Sequence, residues 1–338
     1  MDLRVDIGVF AHNEADGIAA ILHGLASQDI FAHTGIFARV LVLANGCTDA
    51  TVEVARSVPM PGLTVIDLAA GGKSRTWNRF VHDLAQKNAD ILVFMDADIE
   101  FRAPDTLRQL VQQLRQRPEL WVMNSQPVKD IIARPDDLTA MDRIISAASG
   151  GLDDWKTAIC GQLYAMPAAL ARAFHLPIGL PVEDGFLRAM VLTDALTTDE
   201  DFTKIDGAEG VAHIFTSERG IGALIKHQTR IVIGSAINAA CFADLRGLSV
   251  DQRHAALTRA AQSETWLAEV IKRRLPRMPY GFVPIHFLIK RVAILGTHPK
   301  RLLHPKRVFI AVIGFGFDAI VYARAQIAML RGAGAGHW

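Results

Sequence analysis

Two carboxylates one residue apart, Asp96 and Asp98, follow an uninterrupted apolar run that begins at Ile91. Such a run is typical of a strand buried on both faces of a parallel sheet, and ligands bind at the carboxyl ends of such strands. Neighbouring carboxylates repel each other, and a hard divalent cation such as Mg²⁺ or Mn²⁺, which also suits a diphosphate, offsets that repulsion. The alternative is that the acids open a loop and cap a helix near Pro104. The tripeptide alone leaves both interpretations open.

The elements that must position these acids alternate between strand and helix up to about Arg117. Between the strand-like runs, apolar residues recur at the i, i+3, i+4, i+7 spacing of a helix face. This βαβ series predicts a parallel sheet with helices on both faces. The predicted strands are Val5–Phe10, Val40–Leu43, Leu63–Leu68 and Ile91–Met95, and the helical stripes start at Ile18, Trp77 and Leu107.

The region from about Trp121 to Asp244 is less regular. Two strands are predicted, at residues 161–166 and 211–215, and a long helical stretch is expected from about Ser217. Further helices are expected to begin at Pro135 and at Glu183.

Composition indicates a globular chain with an appendage. The chain has 338 residues, half of them apolar, and three widely spaced cysteines (Cys47, Cys160 and Cys241). An odd, scattered set of this kind indicates reduced thiols in a cytosolic setting and argues against disulfides or a zinc site. The segment after Met1 runs directly into a strand, which predicts no signal peptide.

Charge is distributed unevenly. Residues 270–317 contain ten Lys and Arg and no acid; twelve basic residues and one acid follow Glu269, a formal +11, which leaves −10 for the first 269 residues because the whole chain carries +1. Basic side chains beside apolar faces suit anionic lipid headgroups, although such helices can also pack on the core with snorkelling Lys and Arg. The apolar run 308–317 is interrupted by Asp318 and falls short of the ~20 residues that span a bilayer. No nucleic-acid recognition motif is present, so nucleic acid is not an expected partner.

Five segments, taken in order, resemble motifs of the inverting family 2 glycosyltransferases, which have the GT-A nucleotide-sugar-binding fold. Residues 10–14 (FAHNE) are similar to the family's Tyr-Asn-Glu turn, and residues 44–51 (ANGCTDAT) to its Asp-Asp-Gly-Ser-Thr-Asp-x-Thr segment. Residues 71–78 (GGKSRTWN) resemble its Gly-Lys-x-x-Ala-Leu-Asn, Asp96-Ala-Asp98 its Asp-x-Asp, and Glu183-Asp184 its acceptor-side acids. A partial match to Gln-x-x-Arg-Trp stands at residues 227–230.

The resemblance implies a Rossmann-like, mostly parallel sheet flanked by helices, followed by a basic and apolar helical C-terminal region. It implies Mg²⁺ or Mn²⁺ on Asp98 with Asp96 beside it, where the ion would stabilise the departing diphosphate. Gln228 and Arg230 are expected to face the diphosphate or the acceptor, with a solvated helix face as the alternative. The residues expected to bind the nucleotide sugar are Ala11, Glu14, Asn45, Lys73 and Asp96; ordinary turn chemistry is the alternative for Glu14, Asn45 and the Gly-Gly before Lys73.

Attack by an acceptor hydroxyl on a sugar's anomeric carbon needs a base within hydrogen-bond reach of that hydroxyl. Asp184 is the candidate base, and Glu183 is the neighbour that orients or substitutes for it. The alternative is that these acids only stabilise a helix N-terminus.

The sequence departs from the family pattern at several positions. Ala44 stands where an acid commonly helps to read the base, which leaves uracil and guanine both open. Ile231 stands near the tryptophan of a processive synthase, which argues against that class. His12 replaces a tyrosine, and His213 is a candidate third metal ligand or a structural residue of an apolar strand.

These observations predict a metal-dependent inverting glycosyltransferase acting on a nucleotide diphosphate sugar and a hydroxyl acceptor, lipid-linked acceptors included, located in the cytoplasm and peripheral at the inner face of a membrane. A sugar-phosphate nucleotidyltransferase and a non-catalytic membrane-associated scaffold of the same fold are the alternatives. The predicted division is 1–120 for the nucleotide sugar, 121–245 for the acceptor and catalysis, and 246–338 for the C-terminal region.

Overall fold

The computed structural model describes residues 2–134, 154–276, 281–297 and 305–332. It divides into two compact units, which we call the sheet unit (Met1–Pro177 with Glu183–Ser217) and the helical unit (Ile178–Val182 with Glu218–Trp338). The helix predicted from Pro135 lies outside the described residues.

One eight-stranded sheet organises the sheet unit, in the order β3-β2-β1-β4-β7-β6-β8-β5. Strands β3, β2, β1 and β4 are parallel, as predicted, and so is the β6–β8 pair. The strands are β1 Leu3–Ala11, β2 Ile36–Asn45, β3 Leu63–Leu68, β4 Ile91–Asp96, β5 Ile99–Phe101, β6 Val122–Lys129, β7 Leu163–Pro167 and β8 Ile205–Phe215.

The second half of the sheet is mixed rather than parallel. Strand β7 runs antiparallel to both β4 and β6, and β5 runs antiparallel to β8. The sequence analysis did not predict β5 and β6. Strand β5 has only three residues, and β6 carries the buried polar residues Asn124 and Ser125 followed by Pro127, which hide the apolar pattern of a strand.

The predicted helical stripes face the sheet. Ile18, Ile21, Leu22 and Leu25 are all buried, and the equivalent residues of the helix from Thr106 are buried too. The helices of this unit are α1 Ile18–Ala26, α2 Thr51–Ser57, α3 Lys73–Asn78, α4 Thr106–Gln116, α5 Asp130–Ala133, α6 Ala168–Ala171 and α7 Glu183–Leu192; a π-helical turn, Arg79–Leu84, continues α3.

Within its described residues, the helical unit has five helices: α8 Ile221–Leu245, α9 Val250–Ala260, α10 Trp266–Arg274, α11 His286–Thr297 and α12 Pro305–Leu330. Helix α8 packs against α10 and α12. Residues 218–245 therefore group with the C-terminal helices, whereas the sequence analysis assigned them to the preceding segment.

Helix α12 continues past Asp318, the acid that interrupts the apolar run in the sequence. Asp318 is buried, and its carboxylate lies 3.6 Å from Nζ of Lys290 on α11, so the charge is paired inside the unit. Among the described residues, Ala311–Leu330 is the one helical segment long and apolar enough to cross a membrane by length and composition alone. The apolar run 308–317 of the sequence is therefore part of a longer helical segment that continues through Asp318.

Candidate active site

The first acid pair lies at the carboxyl end of β4, as predicted. Asp96 is the last residue of β4, and Asp98 lies in the turn before β5. The backbone is held on both sides, because Asp96 N donates to Gln162 O at 2.8 Å and Ala97 N donates to Phe10 O at 3.1 Å. The side chain of Asp96 is 20% exposed, and Asp98 belongs to the exposed residues. The sheet edge thus presents one partly buried and one exposed carboxylate.

Lys73, the first residue of α3, reaches this edge. Its Nζ lies 2.7 Å from each carboxylate oxygen of Asp96, 3.1 Å from the carbonyl oxygen of Gly161 and 3.6 Å from Oε1 of Glu183. Gly72 has φ of 124°, a value that L side chains rarely adopt, and it allows the chain to turn into α3. One ammonium group therefore joins the acid at the strand end to an acid of α7.

The second acid pair, Glu183 and Asp184, begins α7. Both face the loop before β7, where a Cβ added to Gly161 would lie 3.4 Å from Asp184 and 3.6 Å from Nζ of Lys73. Oδ1 of Asp184 accepts a hydrogen bond from the backbone N of Gly185 at 2.7 Å. The fold thus brings together the two acid pairs that the sequence analysis singled out in distant segments.

Crowded carboxylates shift the pKa values at the site. Burial raises the pKa of Asp96 to about 6, and the charge of Asp98 adds to the rise while Lys73 opposes it. The pKa of Glu14 is also raised, first by burial and then by Asp98 and Asp96. Burial lowers the pKa of Lys73, but Asp96 and Glu183 outweigh it, so the lysine stays protonated with a pKa above its usual value. The cluster therefore favours an added positive charge.

The residues present fit a divalent cation that is shared with a bound diphosphate. Asp96 and Asp98 supply hard oxygen ligands. Burial, and then the charges of neighbouring carboxylates, raise the pKa of Asp96 and Glu14, and a cation would offset both effects by favouring the ionised form. Among the described residues no group of three or more His, Cys, Asp or Glu side chains is arranged to hold a metal ion. Mg²⁺ is usually bound by one or two carboxylates plus substrate phosphates and waters rather than by a protein cage, so Asp96 and Asp98 are enough protein ligands for it.

A stack of aromatic side chains lines the pocket that also contains the acids of α7. The ring of Phe94 stacks on Tyr164 at 4.6 Å and on Trp77 at 5.6 Å, and Nε1 of Trp77 donates to the Tyr164 hydroxyl at 3.0 Å. A pocket leads from this stack to Lys73 and Asp184. The sequence analysis placed Trp77 in a helical stripe and in the segment 71–78, and Tyr164 in a strand, and it assigned neither a role at the site. The sequence feature that could have identified them is the polar group of each side chain, the N–H of tryptophan and the O–H of tyrosine, which needs a hydrogen-bond partner when buried.

The residues predicted to hold the base lie at the next two strand ends. Ala11 and Asn45 end β1 and β2, and a ring nitrogen of His12 lies 2.7 Å from the backbone O of Asn45. Oδ1 of Asn45 is buried and has no hydrogen-bond partner within the described residues. A Cβ on Gly46 (φ 59°) would lie 2.8 Å from the backbone of Gly71, so these two turns meet closely. The edge thus offers an unsatisfied acceptor beside exposed backbone.

Three predicted residues remain, Gln228, Arg230 and His213. Gln228 and Arg230 lie on α8 in the helical unit, and their roles stay predictions. His213 is fully buried in β8, with Nδ1 lying 3.0 Å from Oγ of Ser125 and Nε2 lying 3.2 Å from Oε1 of Gln162. Both ring nitrogens therefore have protein partners, as expected of the structural interpretation.

Residues 6–145 match the family model described as "Glycosyl transferase family 2". A 4,4'-diaponeurosporenoate glycosyltransferase of Staphylococcus aureus (strain bovine RF122 / ET3-1) is 30% identical over 120 residues, which is 35% of this chain. The chain spans about 30% of the length of that curated relative. The acids of α7 and the two residues of α8 lie beyond the range matched by the family model.

Among solved structures, a mannosyltransferase from Pyrobaculum calidifontis in complex with GDP-Man and Mn²⁺ aligns over 96% of this chain and 87% of its own. The TM-score is 0.54 and the sequence identity 18%, so the likeness concerns the fold. The sheet and the position of the site agree with both matches: residues 6–145 are similar to glycosyl transferase family 2, and the chain has a GT-A-like fold.

Proposed function

We propose that this protein is a metal-dependent inverting glycosyltransferase that moves one sugar from a nucleotide diphosphate sugar to a hydroxyl acceptor. The observation that carries the proposal is the meeting of Asp96 and Glu183-Asp184 around Lys73, because donor and acceptor chemistry need acids of different roles side by side. The Pyrobaculum neighbour, solved with a nucleotide sugar and Mn²⁺, supports the proposed donor and the divalent ion.

On the donor side, Asp98 and Asp96 would hold Mg²⁺ or Mn²⁺. When bound, the ion supplies a positive charge that stabilises the diphosphate as it leaves. Lys73 adds a second fixed positive charge near the same edge. Ala11 and Asn45 end the neighbouring strands β1 and β2, Glu14 follows β1, and all three are proposed to contact the nucleotide sugar.

On the acceptor side, Asp184 takes the proton of the attacking hydroxyl. The hydroxyl oxygen then forms a bond to the anomeric carbon, the bond from that carbon to the diphosphate oxygen breaks, and the diphosphate leaves with the electron pair. Attack opposite the leaving group inverts the anomeric configuration. Glu183 lies 3.6 Å from the Lys73 ammonium, and this pairing suits it to orient the acceptor rather than to take its proton. Gln228 and Arg230 are proposed to contact the diphosphate or the acceptor.

The proposal extends to a lipid-linked acceptor and to a cytoplasmic protein bound at the inner face of a membrane. It is supported by the basic surplus after Glu269 and by the apolar length of α12. The protein would then meet its donor in the cytosol and its acceptor at the bilayer surface.

Thermal stability in the presence of nucleotide diphosphates tests the donor side, because a ligand that binds the folded state raises the unfolding temperature. We expect UDP or GDP to stabilise the protein only with Mn²⁺ or Mg²⁺, and Asp98→Ala to abolish this metal-dependent shift. Asp184→Asn should retain the shift and lose transfer to the acceptor by at least 100-fold. Metal-dependent binding that survives in Asp98→Ala, or full transfer by Asp184→Asn, would contradict the assignment.

A further inference from the structure

The outward face of α12 carries a continuous apolar stripe. Its members recur at alternating spacings of three and four residues: Ile313, Gly316, Ile320, Ala323, Ile327 and Leu330. The four large side chains are exposed by 58% (Ile313), 51% (Ile320), 48% (Ile327) and 74% (Leu330). We call this set the α12 stripe. A contiguous exposed apolar face of this kind is rare on monomeric soluble proteins and indicates a surface that is covered in use.

The opposite face of α12 is already occupied within the helical unit. Val321, Ala325 and Met329 are buried there, and the Tyr322 hydroxyl donates to the backbone O of Val283 at 3.1 Å. The helix packs on α8 and α11 through this face. The α12 stripe is therefore a second apolar face, distinct from the one that holds the unit together.

The charged side chains beside the α12 stripe determine which kind of surface can bind there. Arg324 and Arg331 are exposed beside the stripe, while Asp318, the one acid after Glu269 in the sequence, is buried and paired with Lys290. If the stripe packed on the same stripe of a second copy, arginines would face arginines with no acid between them, which is unfavourable. An anionic surface, in contrast, pairs with both Arg324 and Arg331.

We propose that the α12 stripe docks on an anionic lipid bilayer, with α12 lying in the plane of the headgroups. Ile320 and Ile327 enter the acyl boundary, and Arg324 and Arg331 contact lipid phosphates, as in interfacial amphipathic helices. A transmembrane orientation would carry the exposed Arg324 into the hydrocarbon region, which is costly. The inference rests on the proposed membrane association but not on the proposed sugar transfer.

Flotation of the full chain with vesicles tests the proposal. We expect binding to vesicles of phosphatidylcholine with phosphatidylglycerol and much weaker binding to phosphatidylcholine alone. Arg324→Gln with Arg331→Gln should lower the partition coefficient for anionic vesicles about 30-fold, the joint effect of two basic residues near such a surface, and should leave the weak binding to neutral vesicles unchanged. Ile320→Gln with Ile327→Gln should lower binding to both kinds of vesicle at least 10-fold.

The matched control removes two other exposed apolar side chains from helices of the same unit, Val250→Gln with Ile221→Gln, which are 60% and 54% exposed. This control should float like the unaltered protein. Equal flotation of the stripe variant and the control would overturn the proposal. So would a dimer that only the stripe variant loses, or membrane binding that resists alkaline carbonate. Metal-dependent binding of UDP or GDP, measured on the same preparations, should be unchanged in all variants; its loss would concern the proposed function and not the stripe.

Discussion

At the scale of single residues, Lys73 is the group on which the site depends. It lies against both oxygens of Asp96 and near Glu183, so it offsets part of the repulsion among carboxylates that must coexist at one sheet edge. The family resemblance implied a nucleotide-binding role for this lysine. The structure adds a role that exists before any ligand binds, which is to hold Asp96 and Glu183 near each other.

Replacing Lys73 with Met should destabilise the protein because two carboxylates lose their partner. Lys73 is about one-third exposed, so we expect the free energy of unfolding at pH 7 to fall by only about 1–2 kcal/mol, less than for a fully buried pair. Urea unfolding without metal measures the change. Lys73→Arg keeps the charge and should lose much less stability. The double variant with Asp96→Asn should regain part of the loss, and strictly additive losses would show that the two side chains are not coupled.

His213 should make stability sensitive to acid. Burial lowers its pKa from about 6.5 to about 4, so between these values the unfolded chain binds the extra proton and the folded protein does not. Stability from this group is complete above pH 6.5 and is lost as the pH falls towards 4. The loss between pH 7 and pH 5 should be about 2 kcal/mol smaller in His213→Gln than in the unaltered protein. Equal losses, measured by urea unfolding at both pH values, would contradict the neutral buried imidazole.

At the scale of elements, the site depends on how closely strands and helices approach beneath it. Helix α3 carries Lys73 at its start and Trp77 on the face that joins the stack with Phe94. The π-helical turn after it places Phe80 against β1, at a position where that strand has Gly8. The aromatic packing that positions Lys73 therefore depends on Gly8, because a strand residue without a side chain leaves room for the Phe80 ring.

Gly8→Ala should destabilise the protein by about 1–3 kcal/mol, because the new Cβ would lie 2.9 Å from the fully buried ring of Phe80. Gly24→Ala is the matched control. Gly24 lies in α1, where a new Cβ would be 3.6 Å from a ring carbon of Phe101, an ordinary van der Waals contact. Alanine is also the better helix former, so the substitution should be neutral or stabilising. Thermal unfolding of both variants measures the difference; equal effects would show that the strand can move away from the ring.

At the scale of the whole molecule, the formal charge changes sign along the chain, and the basic segment belongs to one of the two units. The formal charge is −10 before residue 270 and +11 after it, and the helical unit contains all of the basic C-terminal segment. The acids at the centre of the sheet unit suit a cation and a diphosphate, whereas the basic helices suit an anionic surface. Gln228 and Arg230, which the sequence analysis expected to face the diphosphate or the acceptor, lie in the segment 218–245 and therefore belong to the helical unit.

Much of the sheet unit was predictable because its signals are local. A run of five apolar residues before Asp96, and stripes at the spacing of a helix, depend only on neighbours in the chain, and they predicted β1 to β4 and the helices between them. Strand β6 was missed because buried Asn124 and Ser125 are satisfied by distant partners, which no local pattern reveals.

By itself the sequence determined the acids, their positions at a strand end and a helix start, and the charge asymmetry, since these follow from residue type and local periodicity. Only the tertiary structure decided that the two acid pairs meet on Lys73, because that meeting requires β7 to insert beside β4 and bring Gly161 and α7 to the same edge. The same holds for α12. The sequence shows Asp318 as a break in an apolar run, and only packing against Lys290 buries that charge and leaves an uninterrupted apolar face outside. Pairing between distant segments depends on which strands and helices come into contact, and a local pattern does not contain that information.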